Sequence, residues 1–304
     1  LALSPTTPAR KSFREEYISG SYLSSNKIVA IDVRGIILNG VSGLYETASS
    51  GLICEQLEQA RKDRAKAVVL MLETPGGEVT AADTIHNKIM QLKQDGIKIV
   101  SHMGSVAASG GYYIAAPSDF IVANKHTTTG SIGVIIQTYN YHDLFNKIGV
   151  FAETYKSGAM KDMLDGSRIR TEAEKKIAQD LVSEVYDDFV CIVAEGRKSN
   201  GLTVEKIKSG EIGDGRIFSG QKAKELGLVD AIGYKDDAIQ KAAELAGIEG
   251  NYKLVWYVRK FSFLDALSEM KAPESKIELK LPGANSWSSL LEPGKVYLLP
   301  ELWK

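Results

Sequence analysis

The run Ala67 to Leu72, AVVLML, restricts the fold more than any other stretch of the chain. A strand without a polar face must be covered on both sides, as in a parallel sheet with helices above and below. The flanking pattern supplies those helices. Lys27 to Leu38, KIVAIDVRGIIL, is dense in Ile and Val and reads as a strand that bends at Gly35. Ala48 to Asp63 reads as a helix with Leu52, Ile53 and Leu57 on its apolar side, and Ala81 to Gln94 as another with Ile85, Ile89, Met90 and Leu92. Ile97 to His102 and Phe120 to Ala123 read as strands around a short helix, Ser109 to Ala116. Ile132 to Gln137 and Val150 to Tyr155 read as extended segments around a helix at His142 to Ile148. Repeated strand–helix units predict an α/β fold with a largely parallel sheet and crossover helices.

Thr171 to Gly196 carries a strong helix pattern. Thr171 and Glu174 have capping-box spacing, and Ile177, Leu181, Val185, Phe189 and Val193 recur at helical intervals. Short helices joined by glycine turns follow over 203–247, then a strand at Tyr252 to Val258. Phe263 to Met270 reads as an amphipathic turn or two. Residues 271–304 read as a tail with an apolar end, 296–304, expected to fray or pack, or else to occupy a substrate groove. Three regions result: an arm at 1–26 rich in Ser, Thr, Pro and charge, a body at 27–249, and an extension at 250–304.

Composition excludes several classes of function. Lys and Arg number 37 against 38 Asp and Glu, a net charge of −1, which is not the basic footprint of a nucleic-acid binder. Two cysteines, Cys54 and Cys191, make no disulfide framework and have no zinc-ligand spacing. No apolar run approaches the roughly 20 residues of a membrane-spanning helix. The chain begins at Leu1 rather than Met, which suggests a processed or trimmed chain; any leader or anchor upstream is outside it.

Four segments carry candidate chemistry. Thr74-Pro75-Gly76-Gly77 follows the apolar strand at the carboxyl end, where ligands bind in open α/β sheets. Its backbone N–H groups either bind an oxyanion or simply form a tight turn. Gly104 to Tyr112, GSVAASGGY, surrounds Ser109 with small residues at a helix start, where free N–H groups favour developing negative charge. Ser109 is there either a nucleophile or an ordinary capping serine. None of His86, His102, His126 and His142 has the setting of a triad base. That directs attention to a lysine held neutral by burial. Tyr155 to Asp162, YKSGAMKD, offers Lys156 and Lys161, between which spacing does not choose. Thr129 to Val134, TGSIGV, offers Ser131 to orient an amine, or a turn.

Together with Asp214 to Gly220, DGRIFSG, these segments resemble the signal peptide peptidase A (protease IV) family of bacterial serine proteases. The resemblance runs from about Lys27 to Gly247. It implies a Clp-protease/crotonase-like fold of repeated β-β-α units and a Ser-Lys dyad. Ser109 would be the nucleophile, Lys161 the base in preference to Lys156, Ser131 the lysine-orienting hydroxyl, and Gly76 with Gly110 the oxyanion hole. No cofactor or metal is implied. The expected substrates are signal peptides and unfolded segments of membrane or exported proteins. One set of motifs resembles the family's short form, which implies a homo-oligomeric ring, expected to be octameric, with sites shared between subunits. The implied setting is a bacterial membrane, with the catalytic part on the extracytoplasmic side and the anchor in a segment absent from this chain. A crotonase-type acyl-CoA enzyme and a catalytically silent oligomeric scaffold are the competing expectations.

Overall fold

The computed structural model describes residues 13–40, 47–259 and 297–298. Strands β1 (Phe13–Gly20), β2 (Lys27–Arg34), β5 (Ala67–Thr74), β7 (Lys98–Ala108), β8 (Phe120–Ala123), β9 (Thr128–Gly130), β10 (Ile217–Ser219), β11 (Ala231–Ile232) and β12 (Lys253–Arg259) make one sheet. Its main path is β1-β12-β2-β5-β7-β8-β11. The interior pairs β12–β2–β5–β7–β8 are all parallel, and β1 closes one edge antiparallel to β12. A second sheet of β3 (Ile36–Leu38), β4 (Thr47–Ser49), β6 (Gly77–Glu78) and β13 (Tyr297–Leu298) stands beside the carboxyl ends of β2 and β5.

The apolar run behaves as its composition requires. Val68, Leu70 and Leu72 face one hydrophobic cluster, while Ala67, Val69 and Met71 face another. The first cluster is built with α1 (Ser50–Lys62), α2 (Val79–Gln94), α3 (Gly110–Ala115), the end of α5 (Glu172–Gly196), α6 (Val204–Ser209) and α7 (Gly220–Glu225). The second is covered by α8 (Lys235–Leu245) through Ala238, Ile239, Ala242 and Ala243. Gly35 marks the bend between β2 and β3. Its φ is +82°, and its N–H donates to the Glu73 carbonyl at 3.0 Å, tying the bend to β5. The capping box of α5 forms as expected: the Glu174 N–H donates to Thr171 Oγ1 at 3.3 Å, and the Thr171 N–H to Glu174 at 2.8 Å.

The structure departs from the sequence pattern in four places. Phe13 to Gly20, inside the arm expected over 1–26, forms β1 and pairs with β12 of the extension, so 13–20 and 253–259 are both stitched onto the central sheet. β7 runs on to Ala108 instead of stopping at His102. Ile132 to Gln137 and Val150 to Tyr155 are not strands. Ile132 and Val134 are nevertheless buried in the core and Ile135 makes a single bridge, whereas farther on Tyr139, Leu144, Ile148, Phe151 and Tyr155 are left exposed. α4 (His142–Ile148), between them, buries no residue at all. The expected turns at Phe263 to Met270 lie outside the described residues.

Candidate active site

Ser109 occupies the single residue between β7 and α3. Its φ of +53° and ψ of −116° lie in a region that glycine favours and serine rarely adopts. The backbone holds it there at both ends. The Ser109 N–H donates to the Gly130 carbonyl at 2.8 Å, and its own carbonyl accepts from Tyr113 at 2.8 Å, opening α3. The residue is fully buried, its hydroxyl makes no capping hydrogen bond, and Oγ has no partner. The capping use of this serine is therefore excluded. What remains is a buried, unpaired hydroxyl on a sharp strand-to-helix turn.

Two other segments converge on this turn. Thr74, at the end of β5, sits opposite Ala107 of β7. A Cβ added at Gly111 would lie 2.7 Å from Thr74 Cγ2, so only glycine allows this approach. The turn after Thr74 needs the positive φ of Gly76, +104°. The Gly76 carbonyl accepts from Ile37, and its N–H donates to Thr74 Oγ1 at 3.1 Å. Ser131 follows β9, whose Gly130 pairs with Ala108 and holds the Ser109 amide. Ser131 is buried, has φ +51°, and donates its N–H to the Arg216 carbonyl at 2.8 Å. That contact explains the Asp214 to Gly220 segment: its strand β10 pairs with β9 and braces the Ser131 turn. Gly110 opens α3 directly after Ser109, so its N–H belongs to a helical first turn without an intrahelical acceptor.

The fourth segment stands apart. Lys161 is exposed and makes no hydrogen bond to Ser109, whose Oγ has no partner. Lys156 is occupied: its ammonium donates to Asp162 at 2.7 Å and to the Ala159 carbonyl at 3.1 Å. Among the described residues no acceptor pairs with the Lys161 ammonium. Arg168 organises this loop, bridging Asp162 at 2.8 Å and Glu174 in the α5 cap. Its hydrogen bonds hold the Asp162 carboxyl well below the usual range and lower Glu174 to about 2.

The histidines serve elsewhere. Burial lowers the pKa of His86 and of His102. His86 packs edge-on to Tyr113, and His142 contacts the Ser167 carbonyl and Asn146. Among the described residues no group of three or more His, Cys, Asp or Glu side chains is placed to hold a metal, and no helix is long and apolar enough to cross a membrane.

One further edge borders the site. β6, which begins at Gly77, pairs antiparallel with β13, setting Leu298 opposite Gly77 and Tyr297 opposite Glu78. Two residues of the chain's own tail thus lie as an added strand beside the Gly76 turn.

Comparison with known proteins gives the family. Residues 91–249 match the model of peptidase family S49, and residues 27–125 that of Clp protease. A Synechocystis relative named as a protease is 41% identical over 223 residues, covering 73% of this chain and 76% of the relative. The chain belongs to peptidase family S49. An Enterococcus faecium protein named signal peptide peptidase SppA is 43% identical over 220 residues, 71% of this S49 chain and 62% of that protein. Protease 4 of Haemophilus influenzae is 33% identical over 225 residues, 74% of this chain but 35% of its own length. The S49 chain thus spans about three-fifths of the Enterococcus relative and about a third of the Haemophilus one.

Proposed function

We propose that this S49 chain is a serine endopeptidase using a Ser109–Lys161 dyad. The observation that carries the reading is the orphan, fully buried Oγ of Ser109 on a positive-φ turn. In the proposed cycle neutral Lys161 removes the Ser109 hydroxyl proton, and the alkoxide attacks a peptide carbonyl. The N–H groups of Gly76 and Gly110 take the oxyanion. Lys161 then returns the proton to the leaving amine, and water hydrolyses the acyl-enzyme. An oxyanion is a stronger acceptor than the Thr74 hydroxyl, so it can capture the Gly76 N–H from Thr74 Oγ1. Ser131, one β-pair from Ser109, is the proposed anchor of the lysine amine.

A lysine works as a base only when burial strips its proton, and Lys161 is exposed in the single chain. The apolar side chains stranded around it, Phe151, Tyr155, Met160 and Ile169, favour packing against another copy. We therefore place the complete site between subunits of a ring, with an octamer as the expected size. The β6 edge, which already accepts an extended strand, supports peptide binding by strand addition. Small residues around Ser109 suit small or apolar side chains next to the cut, as in cleaved signal peptides. With such substrates the enzyme would work at a bacterial membrane, on its extracytoplasmic side.

The test is fluorophosphonate labelling and peptide hydrolysis by wild type, Ser109→Ala and Lys161→Ala, followed by mixing of the two variants. Labelling and hydrolysis should vanish in Ser109→Ala. Co-assembled variants should regain part of the activity if serine and lysine come from different subunits. Hydrolysis unchanged in Ser109→Ala refutes the nucleophile, and CoA-thioester turnover surviving there would point to crotonase chemistry.

A further inference from the structure

Ser109 is aimed by a defect in the sheet. β5 and β7 run in register from Ala67 opposite Lys98 to Leu72 opposite Met103, then resume at Thr74 opposite Ala107. Glu73 alone therefore faces Gly104, Ser105 and Val106. An insertion of this kind bends its strand and strips ladder partners from the extra residues. Before it, Val100 to Met103 pair with β8; after it, Val106 to Ala108 pair with β9 and deliver Ser109 to the Gly130 carbonyl. The defect is where β7 changes partners on its way to the nucleophile.

The Glu73 side chain fills it. Its carboxylate accepts the Ser105 N–H at 2.9 Å and the Val106 N–H at 3.2 Å. The Thr127 hydroxyl donates to the carbonyls across it, Met103 at 3.2 Å and Gly104 at 2.6 Å. Gly104 makes room: a Cβ there would stand 2.1 Å from Glu73 Oε2. A charged acceptor shared by two adjacent amides is a strong and directional tie.

We propose that Glu73 is a positioning residue of the protease site, fixing the direction of the last turn of β7 and hence the place of Ser109 Oγ; this rests on the serine-protease reading above. It acts through the backbone and does not touch substrate. Misplacement of a nucleophile by about 1 Å costs about 10²-fold in rate, without a matching effect on ground-state binding.

Three variants test it in the full-length assembled protein: Glu73→Ala, Glu73→Gln and Gly104→Ala. The last leaves Glu73 in the chain but evicts its carboxylate. Fluorophosphonate labelling rate and peptide kcat, each per folded subunit, should fall about 10²-fold in Glu73→Ala and Gly104→Ala while KM moves by less than about twofold. Glu73→Gln, which keeps one carbonyl acceptor, should retain about ten times more activity than Glu73→Ala. If the carboxylate merely stabilises the fold, melting temperature falls but the labelling rate per folded subunit stays at the wild-type value, and the inference is wrong. Should Glu73→Ala fail to fold, the same rate criterion applied to Glu73→Gln and Gly104→Ala decides. A wild-type protein that does not label sinks the serine-protease reading itself, whereas a labelled wild type with unaffected variants sinks only the role of Glu73.

Discussion

Replacing Ser109 separates what the site costs the fold from what it does for chemistry. Two penalties meet at this residue. An unpaired hydroxyl sits in the interior, worth about 1–2 kcal/mol of lost solvation. The backbone is held at φ +53°, ψ −116°, which costs a non-glycine residue about 1–3 kcal/mol. Ser109→Ala removes only the first. Ser109→Gly removes both, less about 0.5–1 kcal/mol for the extra freedom of glycine in the unfolded chain. The glycine variant should therefore be more stable than the alanine variant by about 1 kcal/mol at the middle of these ranges and by about 2.5 kcal/mol at most. For a domain of this size about 1 kcal/mol is about 2–4 °C in melting temperature.

The Gly–Ala difference is the sturdier quantity. If a neighbouring subunit's lysine reaches Oγ, the hydroxyl is no longer orphaned in the assembly and the gain from Ser109→Ala shrinks or reverses. Backbone strain is indifferent to what Oγ contacts, so the gap between the variants survives. Calorimetry of wild type and both variants at matched subunit concentration measures it, and peptide turnover on the same samples should be lost in both. A glycine variant no more stable than the alanine variant would refute stored strain at this turn, whatever the activities show.

The remaining predictions concern the rest of the chain. Arg168 is the largest cause that depresses Asp162 and Glu174, so the stability they lend the 156–174 region is full above their ordinary range and lost as pH falls from about 4.5 towards 2; amide protection factors there should fall in that window, and Arg168→Ala should shrink the pH step. Truncation after Gly294 removes the strand laid on Gly77 and Glu78, so peptide KM should fall if that strand competes with substrate, and an unchanged KM would show that it does not. Burial pushes the Cys54 thiol to about 11, whereas Cys191 is exposed; at pH 8, mass spectrometry should find alkylation at Cys191 well before Cys54.

What the sequence made legible follows from where its signals are local. The run at 67–72 declares two-sided burial because no other environment suits it, and the α5 box is written in two side chains three residues apart. The course of β7 past His102 is not local. Gly104 and Ser105 look like the end of a strand, and what keeps the chain extended there is a carboxylate 32 residues earlier, on a neighbouring strand. Ser109 is ambiguous in the sequence for a different reason: a cap and a nucleophile require the same residue type at the same place, and the dihedral angles and unbonded hydroxyl that rule out the cap are not written there.

The segments 132–137 and 150–155 are where the hydrophobic pattern and the structure part, although the helix between them forms as expected. Hydrophobic pattern reports that a side chain is to be buried, not by which chain. Phe151 and Tyr155 find no cover in this one. The region 132–169 also holds Lys161, whose proposed role requires burial that its own chain does not provide. Both mismatches have one physical remedy, a second copy packed on this face, which would cover the apolar side chains and desolvate the amine together. Oligomer and catalytic base are then a single hypothesis: a Lys161→Ala subunit should still assemble, whereas Phe151→Asp with Tyr155→Asp should lose assembly and peptide hydrolysis in parallel. Monomers of that double variant that hydrolyse peptides at the wild-type rate would break the link.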